Sequence, residues 1–315
     1  MTEQTTPIYE LSFNLLVEWQ AHALSNAGSN GSNRLLPRRQ FLADGTETGA
    51  CSGNILKHHH AMLAADYFAA EGCPLCPACQ TRDSRRAAAL LNHPSYQALS
   101  LTQILNDCAL CDTHGFLVTA KNAHDENEVT RARLNKETVM NFGYALALPN
   151  FSKETEQLHT RSGASKEEGQ MLMKIPARSG VYALTIRYTC AGIGADTRQW
   201  QLLVTDPTCR LKRHRALLSA LRDLLVSPSG AKMGTMLPHF TGLRGAIVER
   251  TSIGRAPSLS ALDEAFISKL SMMEDPTYHV VPFDNVGTFY QLMNQLIATT
   301  SPALHSSWKN TNETA

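Results

Sequence analysis

The chain lacks any apolar run near the ~20 residues that a membrane-spanning helix needs. Met1 to Pro7 also lacks the basic-then-apolar order of a secretion signal. These two absences predict a cytoplasmic protein with no membrane partner. An excess of charge of one sign is missing as well, because 29 Lys and Arg face 28 Asp and Glu and leave a net charge of +1. A polyanion would therefore have to be held by cations gathered on one face.

Internal repeats of roughly 20 to 50 residues are absent, which excludes a solenoid. Any helical array would have to come from many copies assembling head to tail. We also find no paired carboxylates beside a histidine at a spacing typical of acid–base or metal-assisted catalysis, so no enzymatic activity is predicted. With 315 residues, 43% hydrophobic and 18% charged, the chain can bury a sizeable core.

Five of the eight cysteines fall in two short motifs, CPLCPAC and CALC. Without an export signal this spacing indicates thiolate ligands of a structural zinc rather than disulfides. The expected ligands are Cys73, Cys76, Cys108 and Cys111, with Cys79 or His114 as a substitute. Such a tetrahedral site would tie residues 71–114 into a small helical subdomain. A cluster of reduced structural thiols is the alternative.

The stretch from Ala21 to Met62 combines a glycine-rich run, basic segments and a helix start. Ser25–Ser32 is small and polar, which predicts a loop whose bare backbone can approach a ligand. Arg34–Phe41 and Thr46–Ala50 flank turn residues and predict a basic hairpin. A helix is predicted from about Asn54 to Ala70.

The N-terminus of that helix offers unpaired N–H groups and a partial positive charge. Together with Arg38, Arg39 and Lys57 it predicts a phosphate cradle. The alternative is an ordinary helix cap in which Ser52 satisfies the first turn and the cations are merely solvated. The triplet His58–His60 cannot converge on one ion from a regular helix. Surface or boundary histidines are the favoured interpretation, and a contact of one of them with RNA phosphate or a base is the alternative.

Alternating residues from Ile8 to Val17 predict a half-buried first strand, so the chain begins with a strand, a loop and a helix. That order is typical of an RRM-like or ferredoxin-like unit. Further strands are predicted at Gly115–Ala120, Val139–Leu148 (ended by Pro149), Ser179–Cys190, Trp200–Thr205 and Gly245–Glu249. Further helices are predicted at Arg82–Leu91, Tyr96–Leu105, Thr208–Val226, Leu259–Met272 and Thr288–Thr299. The strands at 179–190 and 200–205 are expected to be neighbours, and 301–315 a frayed tail.

Two polar segments are expected to project from the body. Lys121–Thr138 has no apolar face, and on an extended strand Arg131 and Arg133 would lie on one side and follow a nucleic-acid backbone. A solvated charged loop is the alternative. Asn150–Lys174 is predicted to be flexible and basic. The helix at 208–226 carries Lys212, Arg213, Arg215 and Arg222 on a face that we expect to be solvated, with a second RNA contact as the alternative.

Several stretches are similar to the CRISPR-associated Cascade backbone subunits of the DevR type. They are HALSNAGSNGSN with CSGNILKHHHAML, GFLVT, VMNFGYALALP, RSGVYALTIRYTCAGIGAD and MLPHFTGLRGAIVE. The resemblance implies an α+β, RRM-like palm. Residues 1–70 would form its N-terminal part, 71–114 a Cys-rich helical insertion, and 115–315 the remainder with projecting loops and covering helices.

The resemblance also implies a function. Such subunits bind crRNA in multiple copies beside other Cascade subunits and present it for pairing with target DNA. Phe151–Met173 would be the thumb that reaches over the neighbouring copy, and its apolar side chains would either wedge between bases or pack on the body. The expected RNA-binding residues are Asn26, Gly28, Asn30, Asn33, Arg38, Arg39, Ser52, Lys57, Arg131 and Arg133.

Two other functions stay open at this point. One is a metal-dependent ribonuclease of the repeat-associated family, for which Asp44 would be the acidic residue. The other is a zinc-ribbon interaction module with no RNA role.

Overall fold

The computed structural model describes residues 5–31, 33–90, 100–118, 134–162, 170–199, 201–304 and 309–310. The strands are β1 (Thr6–Ile8), β2 (Glu10–His22), β3 (Asn26–Asn30), β4 (Arg34–Pro37), β5 (Arg39–Phe41), β6 (Glu47–Cys51), β7 (Phe116–Leu117), β8 (Asn135–Lys136), β9 (Met140–Phe142), β10 (Ala145–Ser162), β11 (Gln170–Tyr188), β12 (Ala195–Asp196), β13 (Gln201–Leu202), β14 (His239–Arg250), β15 (Tyr278–Phe283), β16 (Thr300–Pro302) and β17 (Lys309–Asn310). The α-helices are α1 (Gly53–Ala70), α2 (Pro77–Gln80), α3 (Leu101–Asp107), α4 (Ala109–His114), α5 (Pro207–Val226), α6 (Phe266–Met272) and α7 (Val286–Thr299), and short 3-10 helices span Arg86–Leu90 and Cys190–Gly192.

The chain is a mixed α and β protein built on one large sheet. Its strands follow the order β15-β14-β2-β11-β10-β6-β5, with β3, β4 and β9 attached at the side. Strand β2 lies between β11 and β14 and is antiparallel to both. None of the described helices combines the length and the hydropathy that a bilayer crossing demands.

Strand β2 is buried on both faces, so the prediction of a half-buried strand is wrong. Phe13 and Leu15 join the main core with α1, α5 and α7, as alternation predicts. The polar face is covered too, because Asn14 accepts a hydrogen bond over 2.9 Å from the backbone N–H of Leu259. Glu10 in the same way accepts one over 2.9 Å from the N–H of Ala256. The chain after β14 therefore caps the polar face with backbone donors.

The run Ser25–Ser32 was expected to be a loop, and this is wrong over most of its length. Strand β3 pairs antiparallel with β4, with a register shift between Asn26 and Gly28. Gly28 has a φ of 127°, a backbone conformation that other residues rarely adopt. Backbone pairing with β4, with a bulge at the glycine, holds these small polar residues in a strand.

The expected flexible segment Asn150–Lys174 is an ordered hairpin wherever it is described. Strand β10 does not end at Pro149 but passes it through a register shift between Ala147 and Ser152. A proline is tolerated at such a bulge. Beyond it β10 and β11 stay paired as far as Ser162 and Gln170. We call the paired stretches 152–162 and 170–180 the long hairpin.

Several element boundaries differ from expectation. Strand β13 pairs with β12 and β17 in a separate small sheet and is not a neighbour of β11. Helix α6 starts at Phe266 and not at Leu259, since the preceding residues cap β2. The tail is not frayed at its start, because β16 pairs with β1.

Arg213 on α5 was placed on a solvated face, and this is wrong. Its guanidinium is fully buried and donates over 2.8 Å to the carboxylate of Asp112 on α4 and over 2.8 Å to the carbonyl of Leu105. Asp112 also accepts from the backbone N–H of Gly194 over 2.9 Å. The insertion thus packs on the polar side of α5, an arrangement that helical periodicity cannot reveal.

Candidate functional site

A groove of about 590 Å³ lies where the chain leaves β2 and later enters α1. Its lining combines the start of the β3–β4 hairpin, the first turns of α1 and the β9–β10 connection. The lining residues are Ser25, Asn26, Gly28, Ser29, Leu35, Arg38, Ser52, Asn54, Ile55, His58, Tyr144 and Ala231. Four chain segments, the last represented by Ala231, therefore build one groove with a mixed polar and apolar lining.

Ser25 is the residue on which these segments converge. Its hydroxyl oxygen accepts hydrogen bonds from Nε of Arg38 over 3.1 Å and from the backbone N–H of Ser52 over 3.3 Å. Arg38 also donates to the carbonyl of Asn26 over 2.7 Å, and the buried guanidinium of Arg178 donates to the carbonyl of Ser25 over 3.4 Å. The rim of the groove is thus fixed by two arginines before any ligand binds.

The start of α1 is capped as well as open to the groove. The side chain of Ser52 accepts from the N–H of Asn54 over 3.2 Å, which is the ordinary cap. A Cβ on Gly53 would collide with the carbonyl oxygen of Phe142, so only glycine lets the helix start so close to β9. This close approach places Tyr144 beside the first turn of α1.

The structure brings together only part of the predicted RNA-binding set. Asn26, Gly28, Arg38 and Ser52 line the groove. Asn30 and Asn33 are exposed near the tip of the β3–β4 hairpin and do not line it. Arg131 and Arg133 lie outside the described residues.

Arg39 and Lys57 are directed elsewhere. Arg39 follows Arg38 on extended backbone, where successive side chains point to opposite faces. It pairs with Glu47 over 3.1 Å and with Glu154 over 2.8 Å. Lys57 is half-buried, and burial together with the charge of Arg86 lowers its pKa.

Two groove residues with rings are absent from the predicted RNA-binding set. His58 is exposed and lines the groove, and Tyr144 is 41% exposed there. The histidine triplet held a signal for the first, since residues 54, 55 and 58 share a helix face. Tyr144 gave none, because it was assigned to a continuous strand and in fact lies between β9 and β10.

The histidine triplet is not uniformly on the surface. His60 is fully buried, with one ring nitrogen 2.8 Å from His114 and the other 3.1 Å from the carbonyl oxygen of Leu217. Burial lowers the pKa of His60 to about 4. The prediction of surface or boundary histidines is therefore confirmed for His58 and for the half-buried His59, and is wrong for His60.

The apolar residues of the long hairpin region behave in two ways. Phe151 and Leu158 are each 61% exposed and Leu172 is 48% exposed. Met173 instead packs against a small core cluster that includes Ile175. The carboxylate of Glu154, within the long hairpin, accepts a hydrogen bond from Arg178 over 3.0 Å. Arg178 therefore contacts both Ser25 and the long hairpin.

The second candidate site is a buried cluster of four thiols, Cys76, Cys79, Cys108 and Cys111. Their sulfurs all lie within 4.8 Å of one another. Sγ of Cys111 is 3.9 Å from that of Cys76 and 3.7 Å from that of Cys79. Sulfurs bound to one tetrahedral ion at about 2.3 Å would be about 3.8 Å apart, so the donor set fits such an ion.

Cys79 takes the place in this cluster that was expected for Cys73. Cys76 is the N-cap of α2 and Cys108 is the N-cap of α4. Cys79 and Cys111 each follow three residues later in the first helical turn, which brings the two sulfurs of each pair close together. Cys73 lies before that turn, near Cys209 and Arg213, and burial raises its pKa. His114 is not a substitute ligand, because its ring contacts His60.

Comparison with known proteins places the chain among CRISPR-associated proteins. The family model of the CRISPR-associated negative auto-regulator DevR/Csa2 matches residues 13–260. The chain belongs to this family, which confirms the resemblance seen in the sequence. The matched range contains the groove and both cysteine motifs.

Two solved structures are similar in outline. A chain titled CRISPR RNA-guided surveillance complex, pre-nicking, has 10% identity and a TM-score of 0.49, with 92% of this chain and 99% of that chain covered. A chain titled CRISPR RNA-guided surveillance complex has 8% identity and a TM-score of 0.45, with 92% and 98% covered. No curated protein matches the chain.

Proposed function

We propose that the chain is a crRNA-binding backbone subunit of a type I CRISPR Cascade complex. The observation that carries the proposal is the preformed groove, in which a glycine-containing strand, Arg38 and the start of α1 meet two exposed rings. Membership of the DevR/Csa2 family supports it. The subunit binds and presents the guide and has no catalytic step of its own.

The groove chemistry suits a single-stranded RNA backbone. Gly28 offers bare backbone, and Ser29 and Asn54 offer polar groups to phosphate and ribose. The rings of His58 and Tyr144 can stack on unpaired bases, an interaction that every base tolerates. Because none of these interactions selects a base, target recognition is left to pairing between guide and DNA.

The palm is RRM-like in this proposal. In chain order β2, α1, β10 with β11, α5 and β14 follow the strand-helix-strand-strand-helix-strand pattern of ferredoxin-like folds. In the sheet these strands lie in the order β14-β2-β11-β10. The groove lies at the end of this sheet where β2 finishes.

The long hairpin is the proposed thumb, with further copies of the chain and other Cascade subunits as partners. Leu158 and Leu172 expose apolar surface on a paired β-hairpin, which is stiff enough to hold a wedge against a neighbour or a guide base. Target DNA is recognised through pairing with the guide. The assembly is proposed to be cytoplasmic.

The thiol cluster is proposed to hold a structural zinc through Cys76, Cys79, Cys108 and Cys111. Four buried sulfur donors at these separations suit zinc, and a closed set leaves no position for substrate. Bound zinc would supply folding free energy. The four cysteines bring α2 and α4 together. Asp112 on α4 then connects the insertion to α5 through its ion pair with Arg213.

Asp44 is poorly placed for the ribonuclease alternative. It lies in the turn between β5 and β6, outside the groove lining, and its carboxylate accepts from the N–H of Thr46 over 2.9 Å. That hydrogen bond lowers its pKa. Its position supports binding without cleavage.

Expression of the chain together with a CRISPR repeat array tests the proposal. Purified protein is expected to carry RNA of one length, seen on a denaturing gel. Protein free of nucleic acid would overturn the proposal and favour a zinc-ribbon interaction module. Cleavage of labelled RNA that is abolished in Asp44→Ala would instead favour the ribonuclease.

A further inference from the structure

A second cleft, of about 780 Å³, lies at the end of the sheet opposite the groove. Strand β2 has 13 residues, so at a rise of about 3.3 Å per residue its two ends are about 40 Å apart. Residues near the Glu10 end of β2 line the cleft, whereas the groove lies just beyond the His22 end. One short stretch of guide cannot occupy both.

Arginines from three separate chain segments face this cleft. Arg187 is on β11, Arg198 follows β12, and Arg255 is in the loop after β14. Their side chains are 37%, 49% and 69% exposed, respectively. Thr138 and Thr189 lie in the same lining, and their hydroxyls donate to the carbonyl of Met140 and to the carboxylate of Glu10, respectively.

Buried carboxylates hold these arginines from behind. Glu10 is fully buried and lies 3.0 Å from a guanidinium nitrogen of Arg255 and 3.6 Å from Nε of Arg187. Asp196, also buried, lies 3.8 Å from Arg198. The acids fix the guanidinium groups while leaving their outer N–H groups toward the cleft.

The side chain of Arg187 has a buried part and an exposed part. Its Nε is buried, and within the described part of the chain it has no hydrogen-bond partner. The carboxylate of Glu10, 3.6 Å away, compensates this nitrogen electrostatically, so the exposed guanidinium nitrogens are the ones available to a ligand in the cleft. An anion seated between the arginines would satisfy the outer donors of the same side chains.

We propose that this cleft is a second nucleic-acid site that binds the phosphodiester backbone of a single strand other than the guide segment held in the groove. Three guanidinium groups spread along a cleft match a row of phosphates, because planar guanidinium forks bind phosphate oxygens in pairs. An acidic peptide is the competing occupant, because the lining also contains the apolar side chains of Tyr9, Val139, Ala191 and Ile253. Displacement by poly-glutamate distinguishes the two.

The test uses the full-length protein with its guide bound and a fluorescein-labelled 20-nucleotide oligodeoxythymidine. Binding is followed by fluorescence anisotropy over a series of salt concentrations. Arg198→Ala combined with Arg255→Ala should weaken binding about tenfold and reduce the slope of log K against log salt by about 1.4, which is about 0.7 for each phosphate of a single strand that is no longer neutralised. Arg198→Lys with Arg255→Lys should keep the salt slope.

The matched control removes two exposed cations outside the cleft, Arg85→Ala with Lys269→Ala, whose partners are Asp83 and Asp263. It should leave both quantities unchanged. Equal effects of the two alanine pairs, or no effect of the cleft pair, would overturn the proposal. Poly-glutamate that displaces the oligonucleotide at equal charge concentration would do so as well.

The guide content of the same preparations keeps this proposal separate from the proposed function. The cleft variants should retain the guide. Protein that carries no guide, but binds oligodeoxythymidine through Arg198 and Arg255, would contradict the guide-binding role and support the cleft.

Discussion

Arg38 and Ser25 are joined by a hydrogen bond of 3.1 Å from Nε to the hydroxyl oxygen. Arg38 also holds the carbonyl of Asn26 over 2.7 Å. Its guanidinium is thus engaged in shaping the rim of the groove, and Arg38 is a positioning residue before it is a phosphate ligand. A groove that is ordered in advance binds its ligand with a smaller decrease in conformational entropy.

Replacement of Arg38 by lysine tests this role, because lysine keeps the charge and does not have the planar fork. We expect guide affinity to fall about tenfold, or ~1.4 kcal/mol. Arg39→Lys is the matched control, since Arg39 pairs with Glu47 and Glu154 outside the groove. Equal decreases in a filter-binding assay would contradict the assignment.

The two rings in the groove should contribute through stacking. Tyr144→Leu and His58→Ala are each expected to weaken guide binding by about 1–3 kcal/mol, the cost of removing one base stack. Tyr290→Leu provides a control, because Tyr290 is 39% exposed but lies under Arg222 away from the groove. Tyr144→Phe should bind nearly as well as the native chain. A decrease as large in Tyr144→Phe as in Tyr144→Leu would exclude stacking.

The thiol cluster makes opposite predictions for two neighbouring cysteines. Cys79→Ala should purify with little zinc, because it removes one of four converging sulfurs. Cys73→Ala should keep close to one zinc per chain. Metal analysis of anaerobically prepared protein decides the matter, and the reverse pattern would restore the ligand set expected from the sequence.

The buried pair of Arg213 and Asp112 should be sensitive to removal of one partner. Arg213→Met leaves the fully buried carboxylate of Asp112 without its counter-ion and should lower the free energy of unfolding by about 3–5 kcal/mol. Arg85→Met breaks an exposed pair with Asp83 and should cost under about 1 kcal/mol. Urea denaturation measures both, and similar small decreases would show that the insertion is not anchored through this pair.

Acid should destabilise the fold through buried neutral histidines. Burial lowers the pKa of His214 to about 3, while its ring nitrogens lie 2.7 Å from the hydroxyl of Tyr188 and 2.9 Å from that of Thr300. Between pH 6.5 and 3 the unfolded chain binds a proton that the folded chain does not. The free energy of unfolding is therefore highest above the pKa of the unfolded chain and decreases as the pH is lowered. At pH 5 the decrease is about 2 kcal/mol for one such histidine. His214→Gln should lose less stability than the native chain between pH 7.5 and pH 5 in urea denaturation, and an identical pH dependence would contradict this cause.

The sequence predicted structure correctly where a local hydrophobic pattern determines which side chains are buried. The helix that starts after Ser52 and the core face of β2 both follow from hydrophobic periodicity. Periodicity failed where distant chain segments decide burial. Arg213 lies under the insertion, and Asn14 is covered by the backbone near Leu259.

The candidate site shows the same division. The glycine-rich strand, Arg38 and the helix start are contiguous in the sequence, and their residue types predict one unit. Tyr144 is distant from them in the sequence. It lies beside them in the fold because Gly53 allows α1 to approach β9. Arg39 was misplaced because the alternation of side chains on extended backbone outweighs proximity in the sequence.

The most direct test of guide binding in the groove is photo-crosslinking. The chain would be purified with a guide containing 4-thiouridine, irradiated and digested, and crosslinked peptides identified by mass spectrometry. The account predicts crosslinks on peptides that contain His58 or Tyr144. Crosslinks confined to peptides outside the groove, such as those of α6 and α7, would contradict it.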